Sequence, residues 1–276
     1  MKLRTAGTAT AAALVLSLAV TACGKGGGDE GSADGAKKIA IGIKYDQPGL
    51  GLKEPDGSFS GFDVDVATYV AKELGYKAGD IEWKQTPSAE RENMIANGDV
   101  RFIVASYSIT DERKQKVDFA GPYLLAHQDL LVRADDRSIT KAADLNSKKL
   151  CSVTGSTSAQ NIRRDLAPKA DLQQNGGYSE CLTGLENKAV DALTTDDSIL
   201  AGYAAQKEHR GKFRLVGLKL SDENYGIGLK KGDTELKGKI NTALKKMVSD
   251  GSWQKAVTAN FGPAHYKNEP APAVAD

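Results

Sequence analysis

The chain has 276 residues, which is enough for one two-lobed protein or for two small domains. Lys and Arg number 37 and Asp and Glu number 36, so the chain lacks the strong positive field that attracts nucleic acid or an anionic membrane surface. Charged residues make up 26% and hydrophobic residues 40% of the chain, as in ordinary soluble globular proteins.

The first 22 residues differ from the rest. Lys2 and Arg4 give a positive start without acids, and the apolar run 11–20 is too short to span a bilayer but has the length of a signal-peptide core. The motif Val-Thr-Ala-Cys that ends at Cys23 resembles the lipobox of bacterial lipoproteins, which are cut before the cysteine and carry a diacylglycerol on its thiol. We therefore predict a signal peptide at 1–22 and a lipid anchor on the extracellular face of the membrane. The alternative is an ordinary secretory signal followed by an incidental cysteine.

Two segments lack the periodicity of folded structure. Residues 23–37 begin with the cysteine and are rich in Gly, Asp, Ser and Ala, which predicts a flexible tether. Residues 263–276 are rich in Pro and Ala and are expected to form a loose tail. The folded part should therefore lie between residues 38 and 262.

Two further cysteines, Cys151 and Cys181, remain if Cys23 is lipidated. An exported chain meets an oxidising compartment, so a disulfide is the simplest interpretation, and two buried free thiols are the alternative. There is no CxxC spacing and there are only three His, so no metal site and no cofactor are expected.

Strand and helix patterns alternate along the chain. The predicted strands are 39–43, 81–83, 102–105, 128–132, 149–153, 189–193, 213–216 and 225–229. The predicted helices are 63–74, 89–96, 155–166, 178–187, 197–206, 236–248 and 253–261, with a helix-like piece from 142. Asp63 and Thr110 are expected to be helix N-caps. The alternation is typical of an α/β fold with largely parallel sheets covered by helices.

The chain also contains a series of motifs that resembles the polar-amino-acid family of solute-binding proteins, family 3 of bacterial ABC-transporter receptors. Each motif is weak alone, but the ordered set is specific. Within that family, the stretch 44–49 and the cysteine pair look like the glutamate-binding lipoproteins of actinobacteria. The motifs are GFDVD at 61–65, SYSITDER at 106–113, VDFAGPY at 117–123, GST at 155–157, DALTTD at 191–196, YGI at 225–227 and DGSW at 250–253.

This resemblance implies a two-lobed periplasmic-binding-protein type II fold with two crossing hinge strands. Lobe 1 would comprise residues 38–131 and 223–262, and lobe 2 would comprise residues 132–222. A ligand would bind in the cleft, and the lobes would close on it by a hinge motion. A monomer is expected.

The resemblance also assigns site residues for the two charged groups of an amino acid. Arg113, Thr157 and Ser108 match positions that meet the α-carboxylate, because a guanidinium fork pairs with two carboxylate oxygens and a helix N-terminus attracts anions. Asp196 matches the carboxylate that takes the α-ammonium, together with Ser106 and Ser108. A surface Arg113 paired with a neighbouring acid, and Asp197 in place of Asp196, are the alternatives.

A glutamate side chain needs further basic groups. Arg91, on the predicted helix 89–96, and Lys44, after the first strand, are candidates, although an exposed charge is an equally simple interpretation of each. Gln47 lies in a loop that is expected to line the cleft. Tyr45 is a candidate for packing over the apolar part of the ligand, and a role in the core is equally consistent with its sequence position.

The predicted function is an extracellular lipid-anchored receptor that binds glutamate, with aspartate, glutamine and asparagine as further candidates, and delivers it to an ABC permease. The chain has no GxxxxGK[ST] motif, so the ATPase would be a separate polypeptide. The alternatives are a dehydratase-like enzyme on the same fold and a free-standing amino-acid-sensing lipoprotein. Because the chain has no GxSxG motif and few His, an enzyme is not expected.

Overall fold

The computed structural model describes residues 38–275, so the predicted signal peptide, Cys23 and the tether lie outside the described residues. The strands are β1 Ile39–Ile43, β2 Asp46–Gln47, β3 Gly51–Lys53, β4 Phe59–Ser60, β5 Ile81–Gln85, β6 Phe102–Ile103, β7 Val117–Arg133, β8 Lys149–Val153, β9 Asp171–Asn175, β10 Ala192–Asp196, β11 Phe213–Leu215 and β12 Asp222–Lys230. The α-helices are α1 Phe62–Glu73, α2 Arg91–Asn97, α3 Asp111–Lys114, α4 Thr157–Asn161, α5 Tyr178–Glu186, α6 Asp197–Ala205, α7 Thr234–Ser249 and α8 Ser252–Phe261. A π-helical turn, Ile162–Leu166, extends α4, and 3₁₀ turns lie at Ala78–Asp80, Ala142–Ser147 and Gly262–Ala264.

Nine strands form one continuous sheet path in the order β5-β1-β6-β12-β7-β10-β8-β9, with β11 paired to β7. We call β5, β1, β6, β12 and the first part of β7 the first strand group, and the rest of β7 with β10, β11, β8 and β9 the second strand group. Pairing is parallel among β5, β1 and β6 and among β10, β8 and β9. It is antiparallel wherever β7 or β12 takes part. The sheet is therefore mixed, with parallel outer strands as expected.

The two groups are joined by β7 and β12, the two crossing strands that the type II fold requires. Strand β7 has 17 residues and pairs with β12 from Val117 to His127, and then with β10 from Gln128 to Val132. The sequence predicted only residues 128–132 of β7. Gly121 and Pro122 interrupt the alternation in its first half, where the neighbouring strand supplies the pairing that local propensity does not indicate.

Helix α1 begins differently from the expectation. Gly61, with a φ of 122°, is its N-cap residue, so the prediction that Asp63 is the N-cap was wrong. Asp63 is instead fully buried inside the first turn, where its carboxylate accepts hydrogen bonds from the Ser106 N–H (2.8 Å) and the Tyr123 hydroxyl (2.7 Å). The buried carboxylate thereby fixes the chain that follows β6.

The predicted disulfide is present. It joins Cys151 on β8 to Cys181 on α5, and both cysteines lie in the hydrophobic core. The bond ties α5 to the second strand group close to the carboxyl end of β8, from which the chain leads into α4.

The C-terminal segment, residues 262–275, has no helix or strand after Ala264, but it is held by specific contacts. The N–H of Ala275 donates to the carbonyl of Gly121 (3.1 Å), and the Asn241 amide donates to the carbonyl of Ala275 (2.9 Å). The expectation of a loose tail is therefore not met up to residue 275. Prolines and alanines gave no periodic signal because these contacts are made by main-chain groups. None of the helices within residues 38–275 is long and apolar enough to cross a membrane.

The disulfide gives the first testable prediction. Replacing Cys151 and Cys181 by Ala should lower the free energy of unfolding by about 3–4 kcal/mol, because the cross-link closes a loop with a sequence separation of 30. Urea denaturation of the wild type and the double variant would measure the difference. An unchanged midpoint would contradict a stabilising role for the bond.

Candidate functional site

The polar residues of interest lie where the two strand groups meet. Lys44 follows the carboxyl end of β1, Ser106 follows β6, Thr157 begins the helix after β8, and Asp196 ends β10. In α/β sheets the carboxyl ends of parallel strands are the usual place for ligands, because loops and helix N-termini converge there. The sheet order therefore brings residues that are far apart in sequence to one cleft.

A small polar cavity lies in this cleft. Its free volume is only about 10 Å³. Such a space holds about one water molecule, so an amino acid can enter only if the walls move apart. The cavity is lined by Ser88, Arg91, Ser106, Arg113, Ser156, Thr157, Tyr178, Asp196 and Ile199.

Arg113 lies in the short helix α3, which Thr110 caps through its hydroxyl (3.2 Å) as predicted. The guanidinium is 6% exposed and is fixed at both ends: Nη1 donates to the carbonyl of Ser108 (2.7 Å) and Nη2 to the carbonyl of Gly155 (3.0 Å). Glu92 lies 3.7 Å from Nε. Each Nη therefore retains one N–H, and a guanidinium group can pair with both oxygens of a carboxylate.

Arg91, on α2, is buried beside Arg113 with only 2% of its surface exposed. Its Nη1 donates to the carbonyl of Ala105 (3.0 Å), and its guanidinium carbon lies 3.9 Å from the centre of the Tyr107 ring, over which Arg113 also lies at 5.0 Å. Burial and the nearby charge of Arg113 lower the pKa of Arg91 to about 10. Its Nε has no hydrogen-bond partner among residues 38–275. The exposed-charge interpretation of Arg91 is therefore wrong.

Lys44 adds a third buried cation. Its ammonium donates to the hydroxyl of Ser88 (2.8 Å), which also lines the cavity. Burial, and then the charge of Arg91, hold the pKa of Lys44 well below its usual range. Within residues 38–275, neither Lys44 nor Arg91 forms an ion pair, so positive charge accumulates at this side of the cavity.

Asp196 is the main acidic group on the opposite wall and is 4% exposed. It accepts hydrogen bonds from the Tyr225 hydroxyl (2.5 Å) and the Ser158 hydroxyl (3.3 Å). Burial, and then the carboxylate of Glu223, raise its pKa well above the usual range. A cation at this position would favour the ionised form of Asp196. The rival Asp197 does not line the cavity: its carboxylate accepts from the main-chain N–H groups of His127 and Ser198.

Hydroxyl groups connect the two walls. Ser106 has a φ of 43°, in the left-handed region, and its hydroxyl donates to Gln47 Oε1 (2.9 Å). The Ser108 and Thr157 hydroxyls are 3.5 Å apart, and Thr157 donates to Glu223 (2.9 Å). Strained backbone of this kind is concentrated at functional sites, because the surrounding contacts hold it in place.

Four of the predicted residues do not line the cavity: Lys44 and Ser108, which lie beside lining residues, and Tyr45 and Gln47. Tyr45 packs on the Phe59 ring, with ring centres 5.0 Å apart, and its hydroxyl donates to the carbonyl of Trp83 (2.9 Å). Gln47 does not line the cavity, but it is fully buried and its Nε2 lacks a hydrogen-bond partner among the described residues. The structure thus places Tyr45 in a packing environment, while Gln47 supports Ser106.

Sequence reasoning missed four lining residues, namely Ser88, Ser156, Tyr178 and Ile199. Ser156 was accessible to such reasoning, since it is the N-cap of α4 and its hydroxyl accepts the Ala159 N–H (3.0 Å). No local pattern marks the other three. Only the approach of the two strand groups brings them to the cavity.

The rim of the cleft is closed by a further carboxylate. Asp46, the first residue of β2, accepts the main-chain N–H of Tyr178 (3.1 Å) at the beginning of α5, and its carbonyl accepts the hydroxyl of Tyr203. With the Arg113–Gly155 contact, these bonds cross from the first strand group to the second. The described arrangement is therefore a closed one.

Comparison with known proteins identifies a family. Residues 39–263 match the bacterial extracellular solute-binding proteins, family 3. Among curated relatives, the glutamate-binding protein of Corynebacterium efficiens is 48% identical over 266 residues, which are 92% of this chain and 90% of that protein. The glutamine-binding protein of an ABC transporter in Bacillus subtilis is 39% identical over 86% of this chain and 89% of that protein.

Solved structures agree with the fold. An ancestral arginine-binding protein bound to glutamine superimposes with a TM-score of 0.76 at 33% identity, over 82% of this chain and 98% of that chain. This similarity confirms the two-lobed type II architecture of residues 38–275.

Asp63 gives a prediction for pH dependence. Burial raises its pKa to about 6, although hydrogen bonds from Tyr123 and Ser106 and the charge of Lys44 act in the opposite direction. An unfolded Asp has a pKa of about 3.9, so between about pH 4 and pH 6 the folded protein keeps a proton that the unfolded chain releases. The free energy of unfolding should therefore fall as pH rises through this window, by about 3 kcal/mol for this group.

In Asp63→Asn this contribution should disappear, since the amide does not titrate. Urea denaturation of both proteins at pH 4 and pH 7 would measure the change in the free energy of unfolding. The loss between the two pH values should be smaller in the variant. Equal changes in the two proteins would show that Asp63 does not titrate in this range.

Proposed function

Because the chain belongs to family 3 of the bacterial extracellular solute-binding proteins, we propose that it is the receptor of an ABC importer and that its ligand is glutamate. The observation that carries the proposal is the charge of the cavity. Three buried cations, Lys44, Arg91 and Arg113, lie on one side of the cleft, and Asp196 is the one carboxylate among the nine described residues that line its cavity. A ligand with two carboxylates and one ammonium has the complementary charges.

The α-carboxylate would bind to Arg113. Its two remaining N–H groups suit a bidentate contact, and Thr157, at the beginning of α4, adds a hydroxyl beside free helix N–H groups. Ser108 lies within reach of Thr157 and would accept or donate as the ligand requires. Contacts from both strand groups would thus meet on one carboxylate.

The α-ammonium would bind to Asp196, with Ser106 and Ser108 nearby. Burial beside Glu223 makes the ionised form of Asp196 costly, and an ammonium offsets that cost. The ammonium group of the ligand would therefore bind most favourably beside Asp196, on the wall opposite Arg113.

The side-chain carboxylate would bind to Arg91 and Lys44. Burial disfavours the charged form of both side chains, and a carboxylate restores it. Glutamine and asparagine would place a neutral amide against these cations, and aspartate has a shorter reach. We therefore infer a preference for glutamate, with these three as weaker competitors. Gln47 would hold the hydroxyl of Ser106 in position through their hydrogen bond, whereas Tyr45 would contribute to packing and not touch the ligand.

Binding would couple to closure of two lobes, with limits at 38–131 and 223–262 for lobe 1 and 132–222 for lobe 2. The crossing strands β7 and β12 would be the hinge, and a ligand held from both sides would stabilise the closed form, because contacts from both lobes exist together only there. The closed monomer would then dock on a membrane permease that is driven by a separate ATPase.

The receptor would be anchored on the extracellular face of the cell membrane. Removal of the signal peptide 1–22 would expose Cys23 for lipidation, and residues 23–37 would act as the tether. The family is described as extracellular, which supports export but leaves the anchor to be tested.

One observation favours an enzyme as a second candidate. Asp196 is a buried acid with a raised pKa in the cleft, and a general acid for elimination requires such a group. Incubation with an arogenate-like acid and detection of its elimination product would test this function. The proposed receptor should give no product under conditions in which it binds glutamate.

The binding proposal predicts different effects for the two arginines. Arg113→Lys should weaken glutamate and glutamine alike, by about 2–5 kcal/mol, because the fork that holds the shared α-carboxylate is lost. Arg91→Met should weaken glutamate by about tenfold or more and glutamine much less. Calorimetric titration of each variant with both amino acids would measure the dissociation constants.

Arg101→Met is a matched control. Arg101 is half exposed and pairs with Asp233 (2.7 Å) outside the cleft, so its removal should leave both dissociation constants unchanged. If Arg91→Met weakened glutamate and glutamine equally, the assignment of Arg91 to the side-chain carboxylate would be wrong.

The anchor gives a separate prediction. Cys23→Ala should move the mature protein from the membrane fraction to the culture medium, because the thiol that carries the lipid is removed. Immunoblots of both fractions from cells expressing wild type or variant would measure the distribution. Retention of the variant in the membrane fraction would contradict lipidation at Cys23.

A further inference from the structure

The C-terminal segment 262–275 runs back along the crossing strands after α8. The Tyr266 hydroxyl donates to Asp197 (2.8 Å) at the beginning of α6, and Glu269 Oε1 lies 3.1 Å from His127 Nε2 and 3.0 Å from Lys219 Nζ. The segment ends at Ala275, whose main chain bonds to Gly121 and Asn241. It therefore touches α6, β7, the loop before β12, and α7.

His127 is the centre of these contacts. It lies on β7 opposite Asp222 on β12, its side chain is 10% exposed, and both of its ring nitrogens face carboxylate oxygens. Nδ1 is 2.9 Å from Asp222 Oδ1, and Nε2 is 3.1 Å from Glu269 Oε1. A neutral imidazole has one N–H and one lone pair, so only the imidazolium can donate to both carboxylates at once.

The surrounding charges favour this pairing. Lys219 and His127 hold the pKa of Glu269 below its usual range, so Glu269 stays anionic over the pH range in which histidine side chains change charge. From α6, Asp197 accepts the main-chain N–H of His127 (3.0 Å). Asp222 is largely exposed, so solvent screens its contact more than that of Glu269.

We propose that His127, Asp222 and Glu269 form a proton-dependent clasp that fastens the C-terminal segment to the crossing strands. When the imidazole is protonated, both carboxylates accept hydrogen bonds from it. When it is neutral, its single N–H can donate to only one of the two carboxylates, so the bond to Glu269 is lost whenever the proton lies on Nδ1, and the segment is then held only by its remaining contacts. Acidic pH fastens the segment and alkaline pH loosens it.

The clasp is coupled to the ligand cleft through Asp197, and this consequence rests on the proposed function. Asp197 accepts hydrogen bonds from Tyr266 of the segment and from His127, and it is the chain neighbour of Asp196. The fastened segment thus connects the beginning of α6, which directly follows β10 of the second strand group, to α7 and to Gly121 in the first part of β7. These contacts exist together in the closed arrangement, so fastening favours closure and tightens binding.

Backbone ¹⁵N relaxation at pH 5.5 and pH 8.0 tests the clasp directly. In the wild type, order parameters for residues 268–275 should be near about 0.85 at pH 5.5 and clearly lower at pH 8.0. In Glu269→Gln they should be the same at both pH values, because an amide can pair with either form of the imidazole. Glu235→Gln is the matched control, since Glu235 pairs with Lys239 (2.7 Å) on the exposed face of α7, and it should behave as the wild type.

Two results would overturn the clasp: equal order at both pH values in the wild type, or the same loss of order at pH 8.0 in Glu269→Gln. Neither result depends on whether the protein binds glutamate. The relaxation experiment therefore stands or fails separately from the proposed function.

Calorimetry with glutamate tests the coupling to the cleft. The ratio of the glutamate dissociation constants at pH 8.0 and pH 5.5 should be about two- to fivefold larger in the wild type than in Glu269→Gln. The comparison with Glu269→Gln removes the contribution of other titrating groups, such as Asp63. The same pH ratio in both proteins would overturn the coupling. No binding in either would overturn the proposed function and leave the relaxation result unaffected.

Discussion

The charge of the cleft comes from cationic side chains that are buried close to one another. Lys44, Arg91 and Arg113 are each less than a tenth exposed. Burial, and then the charge of Arg91, lower the pKa of Lys44, and burial, and then the charge of Arg113, lower that of Arg91. Burying like charges is costly, because each loses hydration and repels its neighbours. The ring of Tyr107 and several main-chain carbonyls offset part of this cost. In the proposed function, an anionic ligand would offset the rest.

The fold makes this arrangement possible because it separates the cations from the main acidic group. The cations extend from elements of the first strand group, whereas Asp196 ends a strand of the second. The crossing strands β7 and β12 hold the two groups together and let them move apart. A ligand that carries both signs of charge then favours the closed arrangement. His127 lies on β7, and the C-terminal segment contacts the same strand. The proposed protonation of His127 would therefore act on a strand of the hinge.

The sequence predicted the α/β alternation, the disulfide and the cap of α3, because each depends on local pattern or on a pair of like residues. Arg113 and Asp196 line one cavity in the structure, and the sequence suggested that they share a cleft only through the family resemblance. Ser88 and Tyr178 were missed, because their positions depend on how the strand groups approach. Asp63 was predicted to cap α1, but Gly61 is the N-cap residue. The carboxylate of Asp63 is buried because it bonds to Ser106 and Tyr123, which are distant in sequence. The contacts of the C-terminal segment are made largely by main chain and isolated polar groups, which leave no periodic signal.

The claim that the cationic side of the cleft selects an acidic amino acid is tested most directly by one comparison. Calorimetric titration of the wild-type mature protein with glutamate and with glutamine, at neutral pH and equal ionic strength, measures the contribution of a single side-chain charge. The two ligands differ only by a carboxylate and an amide. The account predicts that glutamate binds more tightly by about tenfold or more. Equal or tighter binding of glutamine, or no heat with either, would contradict it.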